Sequence, residues 1–82
     1  MVGDVWRAPF GFSDKPGQKV RPCLIMEVAS GSVRVAKITS TNLDHRWRCE
    51  RIVVPGYKKT SWVNFDEQRW MPISDLQEPC KA

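Results

Sequence analysis

The chain has 82 residues, 41% of them hydrophobic and 27% charged, with thirteen Lys and Arg against nine Asp and Glu for a formal charge of +4. That length leaves room for one domain over residues 1–82 with one modest core, burying roughly 60% of the unfolded surface, and excludes a second domain with its own site. The composition excludes a low-complexity or disordered chain, and no apolar run approaches membrane-spanning length.

Met1-Val2-Gly3-Asp4 carries no basic leader ahead of an apolar segment, so a cytoplasmic protein with no membrane association is expected. A pI near 9.3 favours an anionic partner, either nucleic acid or an acidic protein segment. The cations are spread out, with local densities at Lys15 to Arg21, His45 to Arg51 and Lys58-Lys59, and spread charge also suits a solvated face. Cys23, Cys49 and Cys80 form no Cys-x-x-Cys pair and match no zinc spacing with the single His45, so reduced thiols, no metal and no cofactor are expected.

In chain order, Gly3 to Phe10 reads as a first strand, with Pro9 at an edge or exit. Gly11 to Lys19 is rich in turn residues and reads as a surface loop. The run Gln18 to Val28 then turns from charged to apolar at Arg21-Pro22, which predicts a second strand from about Arg21 to Ala29 with Arg21 held extended at its mouth. A guanidinium fixed there suits a phosphate, and it equally suits a strand cap or a surface carboxylate.

Ser30-Gly31 predicts a tight hairpin into a third strand, Ser32 to Ile38, whose Val33 and Val35 alternate with Arg34, Ala36 and Ile38 on mixed faces. Thr39-Ser40-Thr41-Asn42 follows as a polar rim or a simple turn. A loop at His45 to Arg48 leads to a fourth strand at Arg51 to Val54, closed by Pro55-Gly56. A basic connector, Lys58-Lys59-Thr60, leads to a fifth strand at Ser61 to Asp66, and Arg69 to Ile73 reads as a short sixth. Ser74-Asp75-Leu76 opens a helical turn with Ser74 as its cap. Several short strands with turn-rich spacing predict a small all-β barrel.

Trp6 and Phe10 are expected in the core as large fillers. Trp62 and Trp70 suit the core or a dimer surface. Trp47 between Arg46 and Arg48 has two readings of equal weight: an indole that stacks an unpaired base while the arginines hold the backbone, or one folded onto the barrel beside solvated arginines.

Four blocks in order, Gly3-Asp4-Val5-Trp6, Arg21-Pro22-Cys23-Leu24-Ile25, Ile38-Thr39-Ser40 and Gly56 to Asp66, make the chain similar to the MazF/PemK/Kid toxins of type II toxin–antitoxin systems. The resemblance implies an SH3-like barrel with a short C-terminal helical turn, and a metal-independent endoribonuclease acting on single-stranded RNA. It implies Arg21 and Thr39 as catalytic residues, with Asp66 as the candidate to orient or deprotonate the ribose 2′-hydroxyl. Lys15, Lys19, Ser40, Thr41, Arg46, Trp47 and Arg48 are the expected RNA-binding residues. A cyclic phosphate and a 5′-hydroxyl would be the products, and DNA would be spared. An acidic antitoxin and a second copy of the chain are the implied partners.

The chain departs from the family pattern in three places. No acid stands in Lys15-Pro16-Gly17-Gln18, Asn64 replaces an arginine of the Kid-like pattern, and the sequence runs only a little past Leu76, where longer relatives build a helix. A noncatalytic SH3-like module binding nucleic acid or an acidic peptide, and a CcdB-like toxin acting on gyrase, remain as alternatives.

Overall fold

The computed structural model describes residues 1–11 and 18–80. It is all-β, a single six-stranded antiparallel sheet made of β1 (Val5–Gly11), β2 (Gln18–Ala29), β3 (Ser32–Thr39), β4 (Cys49–Ile52), β5 (Ser61–Pro72) and β6 (Glu78–Pro79), in the order β4-β5-β3-β2-β1-β6. The radius of gyration of 12.1 Å matches the roughly 12 Å of a compact domain of this length, so the six strands form one body. Among the described residues, no helix is long and apolar enough to cross a membrane.

Alternation along the strands explains the core. Ala8, Phe10, Cys23, Ile25, Val33, Val35 and Met71 form one buried cluster, with Trp6 and Leu76 against it. The intervening positions Val5, Leu24, Met26, Ala36 and Ile38 belong to a second cluster with Val54 and Val63. The sheet is therefore buried on both faces, and the mixed third strand read from the sequence is borne out.

The Ser30-Gly31 turn is also as expected: Ala29 pairs with Ser32, and Gly31 takes φ +75°, where a methyl group added to its Cα would meet nothing within 4 Å. Trp62 is buried, whereas Trp70 is half-exposed.

Several boundaries differ from the sequence reading. The first strand is Val5–Gly11 and not Gly3 to Phe10, since Gly3 takes φ +89° ahead of it and the ladder to β2 runs on to Gly11. The second strand begins at Gln18, because β1 runs to Gly11 and pairs with it, so Arg21 lies inside the strand opposite Ala8 and not at its mouth. The fourth strand is Cys49–Ile52, because its partner β5 starts at Ser61, opposite Ile52, and beyond that point Val53 and Val54 have no ladder to join. Val54 serves as a core plug instead, 1% exposed.

The expected fifth and sixth strands are one, β5, with a bulge: Ala36 pairs with Gln68 and Lys37 with Asn64, so residues 65–67 arch away from β3. Finally, Ile73–Asp75 forms a 3-10 turn entered from Pro72 with no side-chain cap, so Ser74 sits within it. The chain beyond it adds β6 to β1, pairing Trp6 with Pro79 and Arg7 with Glu78.

The open space around Gly31 makes a substitution there purely conformational. Gly31→Ala should cost about 1 kcal/mol of stability through the left-handed backbone, read as a lower urea midpoint at unchanged slope. An unchanged midpoint would mean that the turn relaxes to a conformation alanine accepts.

Candidate functional site

The pairing of β2 with β3 ends at Cys23 opposite Lys37. Two further steps along the same antiparallel register set Arg21 across from Thr39. There the strands have already parted, for β2 continues its ladder with β1 through Ala8 and Phe10, and β3 continues its own with β5 through Val63 and Trp62. Pro22 lies at the parting point and offers no backbone N–H to a ladder. A cavity of about 380 Å³ opens between the separated strands.

Lys19, Arg21 and Pro22 line one wall of this cavity, Ile38, Thr39 and Ser40 the other, and the Tyr57-Lys58-Lys59 segment closes its side. No carboxylate is among the described residues of its lining. Among the described residues Lys19, Lys58 and Lys59 make no ion pair, while Arg7, Arg34, Lys37, Arg48 and Arg51 each meet an acid. Three cations without an ion pair among the described residues, Lys19, Lys58 and Lys59, thus line the cavity on which Arg21 and Thr39 open. Tyr57 is held from the β1 side by Arg7, whose guanidinium carbon lies 5.5 Å from the ring centroid.

Thr39 and its neighbours behave as a turn as well as a rim. The Thr41 backbone N–H donates to Thr39 Oγ1 at 3.2 Å, which leaves the hydroxyl hydrogen of Thr39 to donate elsewhere. The Asp44 backbone N–H donates to Asn42 Oδ1 at 2.9 Å. Ser40 and Thr41 are exposed.

The remaining expected residues divide. Thr41 and Arg46 line a second, smaller cavity that shares Thr39 with the first. Asp66 lies in the β5 bulge, its Oδ1 3.0 Å from Arg48 Nε, and it lines neither cavity. Arg48 takes φ +68° and its carbonyl accepts the Phe65 N–H at 3.0 Å, fastening the loop to the bulge. Trp47 at the loop tip is 85% exposed, which removes the reading in which it folds onto the barrel. Lys15 lies outside the described residues.

Two features escaped the sequence reading. One is the role of Tyr57, Lys58 and Lys59 as a wall of the cavity, for which the only signal was the pair of lysines. The other is Asp44, whose Oδ1 accepts from Trp62 Nε1 at 2.7 Å and from Arg51 Nε at 3.1 Å, pinning the loop after Thr39 to β4 and β5. The Arg51 and Trp62 hydrogen bonds hold the Asp44 carboxyl down at about 2, below its ordinary 3.8.

The thiols offer little chemistry. Burial foremost, with the nearby Cys80 adding to it, pushes the Cys23 thiol up to about 12, while Arg69 and Arg21 oppose the shift. A nucleophilic thiolate is thus disfavoured at Cys23. All three cysteines are free, and His45 is exposed. Among the described residues, no three His, Cys, Asp or Glu side chains gather as a metal site requires.

The Asp44 network makes stability depend on pH in a defined window. A depressed carboxylate pKa contributes stability that is full above the unfolded value of 3.8 and disappears as pH falls through about 2. Urea midpoints of the wild type and Asp44→Asn should therefore differ at pH 6 and converge near pH 2. A gap that stays constant down to pH 2 would assign the difference to the amide itself and not to the ionised carboxylate.

No family model matches the chain and no curated protein matches it, so function has to be argued from the chemistry of this cleft.

Proposed function

We propose that the chain is the toxin of a type II toxin–antitoxin pair, a metal-independent endoribonuclease of the MazF/PemK/Kid kind built on a small SH3-like barrel. One observation carries this reading: Arg21 and Thr39 open on one cavity, and among the described residues its lining holds no acid and three further cations, Lys19, Lys58 and Lys59. A phosphodiester in that cleft would meet a planar cationic fork from one strand and a hydroxyl donor from the other.

The reaction needs little more than such donors. The ribose 2′-oxygen attacks phosphorus, the bond to the 5′-oxygen breaks, and negative charge builds on the non-bridging oxygens in between. Arg21 stabilises that charge and Thr39 donates to the same oxygens, with Ser40 beside it; donors of this kind act most strongly when fixed in advance. The departing 5′-oxygen takes up a proton, from Arg21 or from water, and a 2′,3′-cyclic phosphate and a 5′-hydroxyl remain.

The 2′-hydroxyl proton leaves to solvent through the open mouth. Asp66 pairs with Arg48 at 3.0 Å and lines neither cavity, so that proton is not assigned to it. The three lysines grip the flanking backbone and make binding salt-dependent. In this reading Trp47 stacks a neighbouring base, the cytoplasm is the place of action, the active form is a homodimer, and an acidic antitoxin segment silences the toxin by filling the cationic cleft.

A second reading is favoured by the lack of a carboxylate in the described lining of the cavity. A cleft with anion-binding groups and no base suits a module that binds RNA without cutting it. Incubating the protein with a long single-stranded RNA in excess EDTA separates the two. The toxin reading expects discrete fragments with cyclic-phosphate and 5′-hydroxyl ends, formed roughly 10²-fold more slowly, or less, by Arg21→Ala and Thr39→Ala. RNA that is bound and stays intact would overturn the catalytic reading and leave the binding module.

A further inference from the structure

We propose that the smaller cavity beside Thr39 is a base-reading pocket that takes a guanine of the single-stranded RNA, with Glu67 as its specificity-determining residue. This inference rests on the RNA reading above but not on cleavage. Thr39 belongs to both cavities, so a strand that sets a phosphate against Arg21 and Thr39 brings an adjoining base to the second opening. That opening measures about 180 Å³, the share of roughly six liquid waters, a scale suited to a single planar base.

The β5 bulge shapes this pocket. By arching residues 65–67 away from β3 it brings Asn64 and Glu67 together beside Lys37. Lys37 Nζ lies 3.2 Å from Glu67 Oε2, and Asn64 Nδ2 donates to Glu67 Oε1 at 3.3 Å. Asn64 is itself fixed: it is 3% exposed, and its Oδ1 accepts the Asp66 backbone N–H at 2.9 Å.

Glu67 is therefore steered from both oxygens by groups set in the sheet, yet its side chain is 48% exposed. A carboxylate accepts about four hydrogen bonds, so these two leave capacity for a ligand. Arg46 stands at the same cavity and makes no ion pair among the described residues. Buried Leu43 supplies an apolar surface.

A fixed acceptor beside an uncompensated cation selects among bases. Guanine presents two adjacent N–H donors, N1 and N2, on its Watson–Crick edge, with O6 next to them and N7 beyond. Glu67 can accept both donors in a charge-assisted bidentate contact, and Arg46 can donate to O6 or N7. Uracil offers a single donor flanked by two acceptors, while adenine and cytosine offer one amino group each, so all three leave part of the pair unmatched. Single-stranded RNA exposes these edges for reading.

The test uses the full chain and four labelled ribo-oligonucleotides with 2′-O-methyl sugars, which cannot be cut: a uridine pentamer, and the same pentamer with a central G, A or C. Fluorescence anisotropy should give the G pentamer about tenfold tighter binding than the others, the low end of what a bidentate base contact discriminates. Glu67→Gln should erase that preference, so that in the variant the G pentamer binds no more tightly than the uridine pentamer, whatever the common affinity becomes once Lys37 loses this ion pair. Arg46→Gln, at an exposed position, should weaken all four pentamers and reduce the ratio of G-pentamer to uridine-pentamer affinity. Binding of all four to equal extent, or a G preference that survives Glu67→Gln, would overturn the pocket while leaving the RNA reading intact. Failure of every pentamer to bind would overturn both.

Discussion

In a sheet covered on both faces, backbone N–H and C=O groups must find partners within the protein. β2 and β3 meet this demand together only as far as Cys23 and Lys37. Beyond that pair each strand turns to its outer neighbour, and the space between them becomes the cleft. The position of Arg21 opposite Thr39 is thus a by-product of how the ladders are shared out, and Pro22 reinforces it by withholding a donor at the fork.

The distribution of charge follows the same geometry. Acids are placed beside the bulge, the hairpin and the loop after Thr39, where Glu67, Glu27, Asp66 and Asp44 each meet a cation. Exposed pairs of this kind contribute little to stability singly. Their larger effect is subtractive: they neutralise five cations elsewhere and, among the described residues, leave Lys19, Lys58 and Lys59 at the cleft without an acid. A modest net charge of +4 therefore includes a local positive field at the cleft.

Much of the fold was legible because it rests on local signals. Ser30-Gly31 announced its own turn, and Val33 and Val35 alternating with Arg34, Ala36 and Ile38 announced a strand with mixed faces. What stayed hidden depended on partners distant in sequence. The polar run Asp66-Glu67-Gln68 reads as a break between strands, yet β3 supplies a ladder on both sides of it and converts the break into a bulge. Val54 reads as the end of a strand, and only the starting point of β5 decides otherwise. The same contrast holds at the candidate site. Arg21 and Thr39 were picked out by resemblance, and the sheet register sets them opposite each other. Asn64 was noticed only as a departure from the family pattern, and nothing in the chain linked it to Lys37 and Glu67, since their association exists only through the bulge. Asp44 likewise looks like a loop residue until Arg51 and Trp62 converge on it.

The pairing of β6 with β1 has a kinetic side. β1 finds β2 across a short connection, but on its other edge Trp6 and Arg7 are paired only by Glu78 and Pro79, far along the chain. Loop-closure entropy makes that contact late, because the intervening residues must be ordered before it is rewarded. During synthesis the β1 edge therefore stays open until the last strand emerges, exposing a row of unsatisfied backbone groups to any extended segment nearby. At Trp6 and Arg7 the hazard of mispairing lies in the nascent chain, and the two residues of β6 end it there.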